Sequence, residues 1–188
     1  MYSFGMIPAV LFDRVALPDA LARIPAEVTV LTSMFMHGGW LHLLGNLLYL
    51  WIFGNNVEDR FGHLRFLLFY LLCGIAAALA QALSAPGSEV PMVGASGAIS
   101  GVLGAYLLLW PRARILVLVP LGIIFWTLRL PALVVLGLWF ALQLVSSLAT
   151  DPGQGGVAFL AHVGGFVAGM VLLPLFLLLG RRGRGRRR

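Results

Sequence analysis

Apolar side chains dominate five long blocks of the chain, residues 39–54, 64–83, 95–110, 131–149 and 157–179, with polar, glycine-rich or proline-broken segments between them. A helix needs about 20 apolar residues to cross a hydrocarbon layer ~30 Å thick, so these blocks predict about five membrane-spanning helices. A sixth apolar run, residues 115–127, is too short to span and is interrupted by Pro120. It predicts an interfacial or re-entrant stretch. Residues 1–38, broken by Pro8, Pro18 and Pro25, contain neither a span nor the pattern of a signal peptide.

Composition fixes the solvent. The chain is 60% hydrophobic and only 11% charged, with a mean hydropathy of +0.96, whereas a soluble domain is roughly 45–50% apolar. All thirteen basic residues are Arg, and six of them crowd into the tail "RRGRGRRR". Basic residues gather on the cytoplasmic side of membrane proteins, which places the tail inside and accounts for it without invoking nucleic acid. Alternating backward from that anchor puts Arg112, Arg114 and Arg129 inside, "SAPGSEVP" outside, and Arg60 with Arg65 inside. The domain plan is therefore an extracytoplasmic segment and outer loop over residues 1–38, a membrane domain over 39–179 and a basic cytoplasmic tail over 180–188. An Arg-only basic set with abundant Ala and Gly suggests GC-rich coding and a bacterial inner membrane. Cys73 is the single cysteine, which excludes an internal disulfide and a Cys-based metal site. No cofactor or metal is expected.

Against this background the polar residues inside the spans matter, because such groups are costly in lipid and are functional by default. The first span carries His42 and Asn46, four residues apart and so on one helix face. The third carries Ser96 and Ser100, and the last His162. Counting helical rise from the ends of each span places Ser96 and His162 each ~8 Å below the outer surface, with His42 and Asn46 in the first two turns of theirs. Small residues supply the means of approach. Gly97, Gly101 and Ala105 repeat at four-residue spacing, and His162, Gly165 and Gly169 form a second stripe. Small-xxx-small faces let helix backbones come close where lipid supplies no hydrophobic drive.

A serine hydroxyl becomes a nucleophile when an adjacent imidazole takes its proton, and Ser96 with His162 is such a pair. Glu89 and Asp151 fall in outer loops, so the chemistry predicted is that of a dyad rather than a triad. Asn46, His42 and the backbone N–H of Ser96 can supply donors to an oxyanion. Each residue also has a plainer use. Asn46 and His42 can join helices by hydrogen bonds, Ser96 can cap its own helix, and His162 can relay protons in a transporter.

The blocks "MHGGWLHLLGN", "GNNVEDRFG", "GASG" and "AHVGGFVAG" occur in that order, each of the first, third and fourth at the start of its span. In these the chain closely resembles the rhomboid intramembrane serine proteases, from about Phe35 to Leu175. The resemblance implies an all-α polytopic bundle of the rhomboid type, with Ser96 as nucleophile and His162 as general base. His42, Asn46 and the Ser96 amide would form the oxyanion hole, and His37 would help order the first outer loop. It implies cleavage of transmembrane protein substrates near their outer ends.

Two departures follow. Some members place a Tyr four residues after the nucleophile to stack on the catalytic His, and Ser100 stands there instead. The family core also begins with a span ahead of the first outer loop, and "MYSFGMIPAV" resembles the residues just after it, so a further segment upstream of Met1 is expected. Two other readings stay open at this point, a catalytically inactive relative that binds transmembrane clients and a small transporter. The segment "PGQGGV" before the last helix is a natural mobile cap, and Trp139, Phe140 and Gln143 on the fourth span offer a lateral gate.

Overall fold

The computed structural model describes residues 1–122, 124–151 and 156–184. Most of the expected cap, residues 152–155, and the last four residues of the basic tail lie outside that set.

Two short helices, α1 (Pro8–Leu11) and α2 (Ala26–Thr32), and a 3₁₀ turn (Ser33–Phe35) open the chain. They are fastened to the loop ahead of Ser96 by an antiparallel bridge between Met6 and Met92 and by the Ala9 N–H bonding to the Ser88 carbonyl. Met6 and Val30 fill a small core with Ala78 and Ala82.

A long helical rod follows, made of α3 (Trp40–Tyr49), a π-helical turn (Leu50–Gly54) and α4 (Asn55–Phe61). The wide turn shifts the helical register midway. One end can thus direct Asn46 inward while the other buries Phe53, Val57 and Phe61 in the main core. Gly62, with φ +85, makes the reversal into α5 (His63–Ser84), a backbone conformation that side chains rarely adopt. An extended loop leads to α6 (Ser96–Leu109), and α7 (Ala132–Ala149) and α8 (Phe159–Arg184) complete the bundle.

Among the described residues three helices, His63–Ser84, Ala132–Ala149 and Phe159–Leu179, are long and apolar enough to cross a membrane. α6 has only 14 residues, or about 21 Å of helix. It is the central element, buried without a break from Gly97 to Ala105, which is why its sequence is apolar all round rather than striped. At the other end of the bundle Phe61, Phe69 and Phe176 meet with ring centroids 5.1–5.5 Å apart and pin α4, α5 and α8 together.

α7 differs from its neighbours. It buries only Ala132, Leu136 and Ser147, and it rests chiefly on α8.

Among the described residues the bundle is helical apart from one element. The run expected to be interfacial or re-entrant is a β-hairpin, β1 (Arg114–Leu121) paired antiparallel with β2 (Ile124–Pro131), with Ile115 opposite Leu130 and Val117 opposite Leu128. β-branched and aromatic residues favour the pleated conformation, and Gly122 at φ +67 supplies the turn. Pro120 sits one residue from the strand end, where its missing N–H does little harm.

Candidate active site

The loop before α6 brings a backbone into a space too small for a side chain. Gly94 holds φ +124, and a Cβ placed there would stand 2.7 Å from the imidazole of His42 and 3.8 Å from Asn46 Nδ2. Glycine therefore lets the chain pass beside α3 and enter α6 at Ser96 with the hydroxyl facing the same space.

α6 and α8 then close on each other through the stripes of small residues. A Cβ on Gly165 would fall on the carbonyl oxygen of Gly97, and one on Gly169 on that of Gly101. Gly101 also lies against Cys73 of α5, and Gly164 against Ala80. With backbones in van der Waals contact, side chains near the helix starts come within bonding distance. The Ser96 Oγ lies 2.8 Å from His162 Nε2. The first turn of α8 is held by Gln81 of α5, whose Oε1 accepts from the Ala161 N–H at 3.3 Å.

The other face of the imidazole is held by α7. His162 Nδ1 is 2.7 Å from Gln143 Oε1. An amide oxygen can only accept, so Nδ1 carries the proton and Nε2 presents its lone pair to Ser96. The indole of Trp139, one turn earlier on α7, is tilted 34° to the imidazole with centroids 5.9 Å apart. Trp139 thus supplies from another helix the ring contact that Ser100 cannot. The Ser100 hydroxyl instead bonds back to the Ser96 carbonyl at 2.7 Å.

His42 and Asn46 lie on the opposite wall. The Gly38 N–H points to His42 Nδ1 at 3.4 Å, which leaves Nε2 of that ring as the protonated, donating nitrogen. His37 packs edge-on against His42, with centroids 5.2 Å apart. Asn46 is buried, and its Nδ2 has no hydrogen-bond partner among the described residues. A buried amide N–H₂ left unpaired is costly, and a donor held that way is suited to a ligand oxygen. Ser96, His162, His42 and Asn46 all line one cavity of about 670 Å³, with Ser88, Val90 and Asp151 also in its wall. Among the described residues no cluster could hold a metal ion.

The four side chains singled out in the sequence therefore share one cavity. Gln143 and Trp139 were legible there only as gate candidates. Their i, i+4 spacing places both on one face of α7, but it does not say which neighbour that face meets.

A bundle of apolar helices encloses a Ser–His pair at the start of a short central helix, and the chain belongs to the rhomboid family: the family's rhomboid domain matches residues 26–179. It is 35% identical over 154 residues to the rhomboid protease GluP of Bacillus subtilis, covering 81% of this chain and 28% of that protein. It is 34% identical over 152 residues to rhomboid-like protease 5 of Toxoplasma gondii, covering 76% of this chain and 15% of the relative. With the chloroplastic rhomboid-like protein 11 of Arabidopsis thaliana it shares 38% identity over 103 residues, or 53% of this chain and 36% of the relative. The matched region thus spans about a third or less of these relatives.

Proposed function

We propose that the protein is an intramembrane serine endopeptidase that cuts transmembrane protein substrates near the outer ends of their helices. The observation that carries this reading is the 2.8 Å contact between Ser96 Oγ and His162 Nε2 beside an unpartnered buried donor in a cavity of about 670 Å³.

In the reaction, the Ser96 Oγ attacks the scissile carbonyl carbon as His162 Nε2 takes its proton. Negative charge develops on the carbonyl oxygen, towards which Asn46 Nδ2, His42 Nε2–H and the Ser96 backbone N–H are offered. The start of α6 adds the favourable end of a helix dipole. Collapse of the tetrahedral species returns the proton from His162 to the leaving amine, and water then attacks the acyl-serine by the same route. A peptide bond inside a helix hides its carbonyl in the i→i−4 ladder, so the substrate must unwind locally to be cut. The cavity, open towards the outer loops, offers room for an extended segment and for water. The arginine distribution supports a bacterial cytoplasmic membrane, with the C-terminus inside and the cavity facing out.

The test is to incubate the purified protein in detergent with a panel of single-span peptides and locate any cut by mass spectrometry. A cut near one end of a span, together with labelling by a serine-reactive fluorophosphonate, is expected. An intact panel and an unlabelled protein would leave the client-binding reading in its place.

Asn46→Ala removes the unpartnered donor. Its kcat is expected to fall by about 10²- to 10³-fold, as for loss of one oxyanion donor elsewhere, with KM little changed. Because Nδ2 bonds nothing among the described residues, thermal stability should hold or rise. A variant with wild-type kcat would remove Asn46 from the oxyanion site.

A further inference from the structure

The imidazole of His162 is oriented from a helix that contributes little to the core. Both contacts on its far side come from α7: the Gln143 Oε1 at 2.7 Å from Nδ1 and the tilted ring of Trp139. Gln143 meets the ring at Nδ1, whereas Ser96 meets it at Nε2, and Gln143 does not line the cavity. We infer that Gln143 is a positioning residue that fixes the tautomer and orientation of His162. This rests on the protease reading above and adds to it a third member.

A neutral imidazole facing Ser96 is useful in only one of its two tautomers. With the proton on Nδ1, Nε2 can accept the hydroxyl proton. With the proton on Nε2, the ring can only donate to Ser96, and no base is present. An amide oxygen against Nδ1 selects the first state, and when Nε2 takes the serine proton, the Nδ1–H bond to Gln143 tightens because its donor has become cationic. The amide is a neutral counterpart of the carboxylate that performs this task in a triad. Such a partner orients the ring without placing a formal charge among apolar helices.

The test compares Gln143→Leu, which keeps bulk and removes the acceptor, with Gln143→Glu, which can only accept. Active sites are counted in each preparation by fluorophosphonate labelling to completion, and kcat and KM are expressed per labelled site. For Gln143→Leu the expected result is a fall in kcat of at least about 10-fold, a neutral partner being worth less than the triad carboxylate whose replacement costs about 10⁴-fold, with KM unchanged. Gln143→Glu should recover most of that loss, since a carboxylate selects the same tautomer. A Gln143→Leu enzyme with wild-type kcat per site would overturn the inference, as would a Gln143→Glu enzyme no better than Gln143→Leu. So would a loss that appears only as fewer labelled sites, which is the mark of misfolding. An intact peptide panel with an unlabelled wild-type protein would instead defeat the protease reading, and that outcome is distinguishable from all of these.

Discussion

Ser96→Ala is expected to lose all measurable peptide cleavage and all fluorophosphonate labelling while melting close to the wild type. His162→Ala should lose cleavage to the same extent. The reason for a loss this large is that the two groups perform one act. Without the hydroxyl no acyl-enzyme can form, and without the imidazole the hydroxyl keeps its proton, so each deletion forfeits the whole covalent pathway. Losses of about 10⁴- to 10⁶-fold in kcat follow when members of such a unit are removed from soluble serine proteases. It also follows that the double variant should be no worse than either single one, because groups that act together are non-additive. Stability is spared for a local reason. The bond between Ser96 and His162 is one neutral hydrogen bond, worth about 1 kcal/mol net, and its breakage exposes both partners to a cavity large enough for water. Retention of cleavage in Ser96→Ala would remove it from the nucleophile's place, and full additivity of the two substitutions would mean that they serve separate steps.

The parts of the site that the sequence shows are those where lipid makes the signal loud. In a chain that is 60% hydrophobic, a His, an Asn or a Ser inside a span stands out, and helical periodicity converts spacing into faces. His42 with Asn46, Ser96 and His162 could be read that way because each interrupts an apolar block. The glycines were equally legible, since close approach of helices leaves few alternatives to a missing side chain. Gln143 was visible as a polar residue on the fourth span, but its partner was not, because nothing in one helix's periodicity states which way it faces relative to another. Trp139 was harder still, being indistinguishable in sequence from a lipid-facing aromatic.

The hairpin was missed for the opposite reason. Strand alternation is recognised when one face is polar, and here both faces are apolar: Ile115, Val117 and Leu128 are half-buried, while Leu116, Leu118 and Trp126 are exposed. Alternation between two kinds of apolar residue leaves no contrast to read. Pro120 obscures the pattern further, because a proline within a run argues against a strand unless the turn lies beside it.

Gly165→Val is expected to abolish activity by a route that leaves every proposed catalytic group in place. In the wild type the α6 and α8 backbones touch at this point. A Cβ on Gly165 would clash with the Gly97 carbonyl oxygen and come within 2.9 Å of its carbon and 3.3 Å of Ala77 Cβ. The obstacle is backbone, which cannot swing aside like the end of a flexible side chain. Non-bonded atoms need about 3.5 Å, so the two helices must part by roughly 1 Å or more. His162 lies one turn from Gly165 and Ser96 is adjacent to Gly97, so the separation is delivered directly to the 2.8 Å contact. That stretches it beyond the ~3.2 Å limit of a useful hydrogen bond. A misplacement of about 1 Å can by itself cost on the order of 10²-fold in rate, and overpacking adds about 1–3 kcal/mol of instability, so both the rate per molecule and the folded fraction fall. Gly137→Ala is the matching control: a Cβ there meets nothing within 4 Å, and it should leave cleavage unchanged. The two variants are to be compared by cleavage per labelled active site and by thermal melting in detergent. If Gly165→Val cleaves as fast per site as the wild type, then direct backbone contact between α6 and α8 is not what brings the hydroxyl to the imidazole.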